Sequence, residues 1–183
     1  MTRYAVLLAA WLIPPVAAAA DNLLIEVGRR DALYVVTGDA WVDASAERLR
    51  DLLTDYTRLD RLNDSILASE IRKTCSSTRH SVYTYAEVCV AVFCRELKQV
   101  QVVEQHPDGD IIVTILPGRG DFRRGYARWH FQAANAGTRI SFESELEPGF
   151  WVPPFIGPIL IKHALWRETQ ETIEKLEALA TMQ

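Results

Sequence analysis

Four histidines, three cysteines and a few paired carboxylates and tyrosines are the residues that could do chemistry in this chain. A general acid or base must reach a bound substrate, so placement decides what His80, His106, His130 and His163 can do. His106 opens His106-Pro107-Asp108-Gly109-Asp110, a turn sequence, and belongs in solvent. His130 sits between Trp129 and Phe131, so on a strand it points away from those aromatics, outward. His163 falls in a helical pattern, at its solvent side or rim, with a cavity-facing position as the alternative. Glu143 and Glu145 alternate with Phe142 and Ser144 and should also face out, which disfavours paired catalytic carboxylates. No nucleophile elbow, metal pair or phosphate loop is written in the sequence. The reading is of no catalytic residues, no metal and no cofactor.

Two clusters have both a plain and a sharper reading. Tyr83, Tyr85 and Glu87 share one strand face, with Glu96 and Lys98 across from them. That is an exposed cross-strand ladder, or the polar end of a pocket if the face turns inward. Arg123 and Arg124 stand at a strand entrance. They are surface charge paired with Glu143 or Glu145, or a rim that orients a ligand headgroup or an anionic lipid surface.

The cysteines depend on the compartment. Cys89 and Cys94 flank Val90-Ala91-Val92-Phe93. If Ala91-Val92 is a hairpin tip, the two lie opposite each other and a disulfide is possible. Ala-Val is poor turn chemistry, since tight hairpins favour Gly or Asn. Cys75 is then left over. Three buried small hydrophobes are the alternative, as is a zinc site with His80, although the spacing matches no usual ligand pattern.

These residues must be held by strands. Trp129 and Phe131, then Ile140 and Phe142, alternate with period two around Ala134-Asn135-Ala136-Gly137, a four-residue hairpin loop. That register sets Phe131 opposite Ile140 and Trp129 opposite Phe142, all on one face. Gly125 and Ala127 share that face and leave space beside the aromatics. Upstream, residues 33–42 form a first strand, and residues 21–30 a lead-in. Asp43 or Ser45 caps a helix carrying Leu49, Leu52, Leu53 and Tyr56, and a second short helix or turn follows. Strands continue at 66–74, 81–90, 94–105 and 111–116. From Pro158 to Met182 the period becomes helical, with Ile161, Leu165, Thr169, Ile173, Leu176 and Leu179 on the apolar stripe.

Between the last strand and this helix runs Trp151-Val152-Pro153-Pro154-Phe155-Ile156-Gly157-Pro158. Its prolines bar it from the sheet ladder. Trp151, Phe155 and Ile156 should bury over one end of a cavity, with Gly157 as a pivot. A rigid linker with Pro158 at the first helical position is the alternative. The same aromatics suit a membrane interface.

Length and composition fit one domain. The chain has 183 residues and a net charge of −4, without a basic run, so a nucleic-acid partner is disfavoured. Arg3, the apolar run 5–13, Pro14-Pro15 and Ala18-Ala19-Ala20 read as a cleaved signal peptide over 1–20, with the mature chain, 21–183, beginning near Asp21. A periplasmic or secreted protein follows, with an uncleaved anchor or buried helix as the alternative.

The order of elements resembles the helix-grip fold of the START-like (SRPBCC) superfamily. Leu53-Thr54-Asp55-Tyr56, Asn63-Asp64-Ser65-Ile66 and the run from Ser144 to Pro154 are similar to its coenzyme Q-binding, polyketide cyclase/dehydrase branch. The resemblance implies an α+β fold: a curved antiparallel sheet of about seven strands around a long C-terminal helix, with two short helices after the first strand. It also implies an elongated apolar cavity for a lipid-like or polycyclic ligand. The walls expected are Gly125, Ala127, Trp129, Phe131, Ile140, Phe142, Leu146, Trp151, Phe155, Leu160 and Ile161. The function expected is non-catalytic binding or transport of a quinone or acyl lipid in the cell envelope. A cyclase/dehydratase using His163 or Tyr83 is the alternative. The expected partners are a hydrophobic small molecule or lipid and, transiently, a membrane, with the chain as a monomer.

Overall fold

Alternating apolar residues and short turns wind this chain into one antiparallel sheet. The computed structural model describes residues 23–134 and 136–182; the signal-peptide reading of 1–20 lies outside them. The strands are β1 (Leu23–Arg30), β2 (Leu33–Val42), β3 (Ile66–Thr74), β4 (Arg79–Val90), β5 (Phe93–Gln105), β6 (Ile111–Ile115), β7 (Phe122–Ala134) and β8 (Gly137–Pro148). They run in the order β1-β2-β8-β7-β6-β5-β4-β3, with every neighbouring pair antiparallel. Phe131 pairs with Ile140 and Trp129 with Phe142, as the alternation requires. The ladder runs past the expected loop, since Ala134 itself pairs with Gly137.

Eight strands stand where about seven were expected. The residues read as a lead-in form the edge strand β1, joined to β2 by a tight turn in which Asp31 has a φ of 55°. An aspartate tolerates that left-handed conformation better than most residues. The period-two signal of Leu23, Ile25 and Val27 was diluted by the apolar Leu24 and the charged Arg29-Arg30.

Two helices cross the concave face. Helix α1 (Ala46–Leu53) starts at Ser45, whose hydroxyl accepts from the Arg48 amide at 3.2 Å, and it buries Leu49 and Leu52. A single 3-10 turn, Leu59–Arg61, follows. Helix α2 (Gly157–Thr181) closes the fold, with Pro158 in its first turn. Its C-terminal half is fixed. Ile173 and Leu176 are buried in the core with Val42, Leu49, Phe131 and Ile140. Asn63 then ties the chain ahead of β3 to the middle of this helix. Its amide nitrogen donates to the Glu168 carbonyl at 3.0 Å and the Thr172 hydroxyl at 3.2 Å. The Asn63 carbonyl oxygen accepts from the Ser65 amide at 2.8 Å. A buried amide satisfied at both ends stabilises the clamp rather than weakening the core. The N-terminal half of α2 has no such tie, and there the interior opens.

Candidate functional site

The opening is a pocket of 390 Å³ between the first three turns of α2, the β4–β5 hairpin and the ends of β7 and β8. Three groups of residues build it. The inner face of β4 and β5 contributes Val88, Val90, Phe93 and Leu97; Leu146 and Phe150 close the far wall; Leu160, Ile161, Ala164 and Leu165 come down from the helix. This volume and lining are those of a small-molecule site: concave, apolar and supplied with few polar groups. The polar side chains are equally specific. Arg95 lies at the mouth with its guanidinium carbon 3.8 Å from the centroid of the Phe150 ring. Glu168 sits on the helix side, engaged by Arg167 at 2.6 Å. Tyr34 belongs to the buried wall; it is 1% exposed and pairs across the sheet with Leu146. Burial pushes its phenol above the ordinary value, partly offset by the nearby Arg29 charge, so the hydroxyl stays protonated.

The expected walls divide. Leu146, Trp151, Leu160 and Ile161 line this pocket. Trp129 instead lines a separate 140 Å³ hollow between the Leu53–Asn63 region and β6. Phe131 and Ile140 are solid core. Phe142 stacks on Trp129 with ring centroids 5.0 Å apart, and its ring lies across Gly38, where a Cβ would come within 1.9 Å. Gly125 opens no space: Ile115 and Leu146 fill it, at 2.4 and 2.9 Å from where its Cβ would stand. Ala127, opposite Val113 and Ser144, is absent from the pocket lining. The large aromatics on the central face therefore pack against one another, and the cavity lies at one end of the sheet.

The proline segment departs furthest from expectation. Trp151, Phe155 and Ile156 are not buried; they are 77%, 86% and 52% exposed. Gly157 docks so tightly on Val152 and Pro153 that a Cβ there would stand 2.5 Å from Val152 Cγ1. The segment is thereby folded onto itself and its large side chains splay outward. Across the mouth, Val92 and Phe93 at the hairpin tip are also exposed. Trp151, Ile156 and Phe93 thus rim the pocket as uncovered apolar side chains, whereas Phe155, expected as a wall, is not part of its lining.

That hairpin tip is covalently stapled. Cys89 pairs opposite Cys94 and the two form a disulfide. The Ala-Val turn exists because Ala91 takes a φ of 54°, a conformation that glycine would adopt more easily. With those cysteines bonded and Cys75 exposed, the zinc set is not assembled.

The other chemistry-bearing groups lie away from the pocket. Tyr83 and Tyr85 face outward, Arg72 lying over the first and Lys98 over the second, so they are the exposed ladder. His163 and His106 are exposed. Arg123 and Arg124 pair with Glu147 rather than Glu143 or Glu145. On the outer sheet face Asp110 accepts from His130 Nδ1 at 2.7 Å and from the Arg128 guanidinium at 2.6 Å. Burial opposes ionisation of Asp110, but the bonds from His130 and Arg128 outweigh it and hold the carboxyl below its ordinary range. Ser141 pairs across from His130, yet its hydroxyl donates to Asp39 at 3.1 Å. The hydroxyl, imidazole and carboxylate are therefore not aligned as a nucleophile relay.

Sequence reasoning missed Tyr34, Val88, Val90, Phe93, Leu97, Ala164 and Leu165 as walls. For β4 the signal was present. Val82, Val88 and Val90 occupy one phase of the strand while Tyr83, Tyr85 and Glu87 occupy the other.

No family model and no curated protein sequence matches this chain. Solved structures do. A STAR-related lipid transfer protein from Xanthomonas axonopodis is 19% identical, with a TM-score of 0.65, covering 87% of this chain and 96% of its own. The Zhui aromatase/cyclase from Streptomyces sp. R1128 is 12% identical, with a TM-score of 0.69 and coverage of 81% and 93%. Human StAR-related lipid transfer protein 5 is 12% identical, with a TM-score of 0.66 and coverage of 88% and 83%. At these identities the likeness is one of fold, and the chain carries the START-like (SRPBCC) helix-grip fold.

Proposed function

We propose that this protein binds and carries an apolar small molecule, lipid-like or polycyclic, in the pocket beneath the N-terminal half of α2. The observation that supports this most is the 390 Å³ apolar pocket opening through exposed Trp151, Ile156 and Phe93. Burying apolar surface at about 25 cal/mol per Å² supplies affinity without chemistry. Two of the fold neighbours are named as lipid transfer proteins, which points the same way. An uncovered apolar rim around an apolar pocket suits loading from a bilayer, where the rim side chains enter the interface while the ligand crosses. With the leader-like residues 1–20, the place of this exchange is the cell envelope. The cyclase reading loses the groups it relied on, since Tyr83 faces outward and His163 is exposed.

Transfer of a fluorescent acyl lipid or a quinone between donor and acceptor vesicles tests the proposal. Acceleration by the wild-type protein is expected, together with its loss in Ala164→Trp, which fills the pocket from the helix side. No acceleration by the wild-type protein with either cargo would overturn it.

A further inference from the structure

The pocket has one polar atom without a use. Tyr34 Oη is buried and finds no hydrogen-bond partner among the described residues. Two buried polar side chains elsewhere on this face are satisfied, Asn63 by Glu168, Thr172 and Ser65, and Thr138 by the Ala44 carbonyl at 2.7 Å; the other unpartnered buried nitrogens, Arg61 Nε and His80 Nδ1, lie outside this pocket. An unpaired hydroxyl in an apolar wall costs stability, so its presence calls for a reason. Phenylalanine would fill the same volume without that cost.

The charges near Tyr34 restrict what could pair with it. Arg29 lies over the ring face, 5.6 Å from the centroid, and its Nε donates to the Asp31 carbonyl at 2.6 Å. It therefore does not reach around to the hydroxyl. The charged side chains lining the pocket are Arg95, exposed at the mouth and stacked on Phe150, and Glu168, an acid. A carboxylate or phosphate brought to Tyr34 would be desolvated with only Arg29, held over the ring face and not at the hydroxyl, to offset it, in a pocket that also carries the acidic Glu168. A neutral oxygen carries no such penalty and accepts the phenolic proton.

We infer that Tyr34 Oη donates a hydrogen bond to a neutral carbonyl oxygen at the buried end of the bound molecule. The ligand class is then an apolar skeleton bearing a ketone, quinone or ester oxygen, entering oxygen first, with any charged group left at the mouth near Arg95. This rests on the carrier reading of the same pocket.

Acetonaphthone and ethylnaphthalene are a matched pair, differing by a carbonyl in place of a methylene. Their dissociation constants are measured by calorimetry on wild-type protein and on Tyr34→Phe. In the wild-type protein the preference for the ketone over the hydrocarbon should exceed that in Tyr34→Phe by about tenfold, the worth of one buried hydrogen bond. Hydrocarbon affinity should be unchanged. Without ligand, Tyr34→Phe should melt at or above the wild-type temperature, because it removes an unpaired hydroxyl. An equal preference in both proteins, with the hydrocarbon bound, overturns the role of Tyr34 and leaves the carrier reading standing. A marked loss of melting temperature in ligand-free Tyr34→Phe also overturns it, by showing that the hydroxyl is already satisfied. Failure of the wild-type protein to bind either compound overturns both.

Discussion

Asp110 shows how a few residues outside the pocket hold the sheet in register. Its carboxylate bridges the start of β6 to Arg128 and His130 on β7, and its folded-state pKa lies below the ordinary 3.8. A depressed carboxyl pKa gives stability that is complete above the unfolded value and lost as pH falls through the folded one. Asp110→Asn should therefore cost about 1 kcal/mol near neutral pH, since both partners are half-exposed. The gap between wild-type and variant should close as the pH drops below about 4. Urea denaturation at several pH values measures it; a gap that widened in acid would contradict the assignment. At Gly125 the sequence suggested open space, whereas Ile115 and Leu146 occupy it. Gly125→Leu should thus overpack, costing about 1–3 kcal/mol by the same measurement. A neutral result would place a void there. Side-chain faces were legible from alternation at Trp129, Phe131, Ile140 and Phe142. Whether four large residues enclose space or fill it was not, because that depends on where the helix crosses them.

Among the elements, the β4–β5 hairpin and the N-terminal half of α2 form the two jaws of the pocket. The hairpin tip is stapled by Cys89–Cys94, a loop so short that chain entropy gives roughly 2 kcal/mol at most. Reduction should therefore lower the global melt by no more than about 8 °C, while amide exchange at 90–95 speeds up. A large drop in melting temperature would make the disulfide a support of the whole fold. Ala91→Gly should raise stability by up to about 1 kcal/mol, because alanine resists its left-handed backbone. The sequence located this hairpin through cysteine spacing despite an unfavourable turn. It failed at the proline segment, where the general pressure to bury apolar side chains suggested a lid. The close docking of Gly157 on Val152 turns Trp151 and Phe155 outward instead, a tertiary contact that no periodicity encodes.

At the scale of the molecule, α2 is held unevenly. Its C-terminal half is locked by Ile173, Leu176 and the Asn63 clamp; its N-terminal half roofs a pocket ringed by exposed Trp151, Ile156 and Phe93. If the ring meets a bilayer, exchange at residues 151–160 should slow on adding vesicles, and Phe155→Ser should weaken that protection several-fold while leaving the melt unchanged. Seven of the eight strands, the helix grip and the presence of an apolar pocket were readable from pattern and resemblance, whereas β1 was read as a lead-in. The site's position was not, because packing of Trp129 on Phe142 and the clamp on α2 are decided in three dimensions. The most direct test of the central claim is native mass spectrometry of the protein purified from cells that naturally make it, beside Ala164→Trp prepared identically. A bound apolar molecule on the wild-type protein, absent from the variant, is the predicted result. A wild-type protein without any adduct, or an adduct kept in full by Ala164→Trp, would contradict the claim that this pocket carries a ligand.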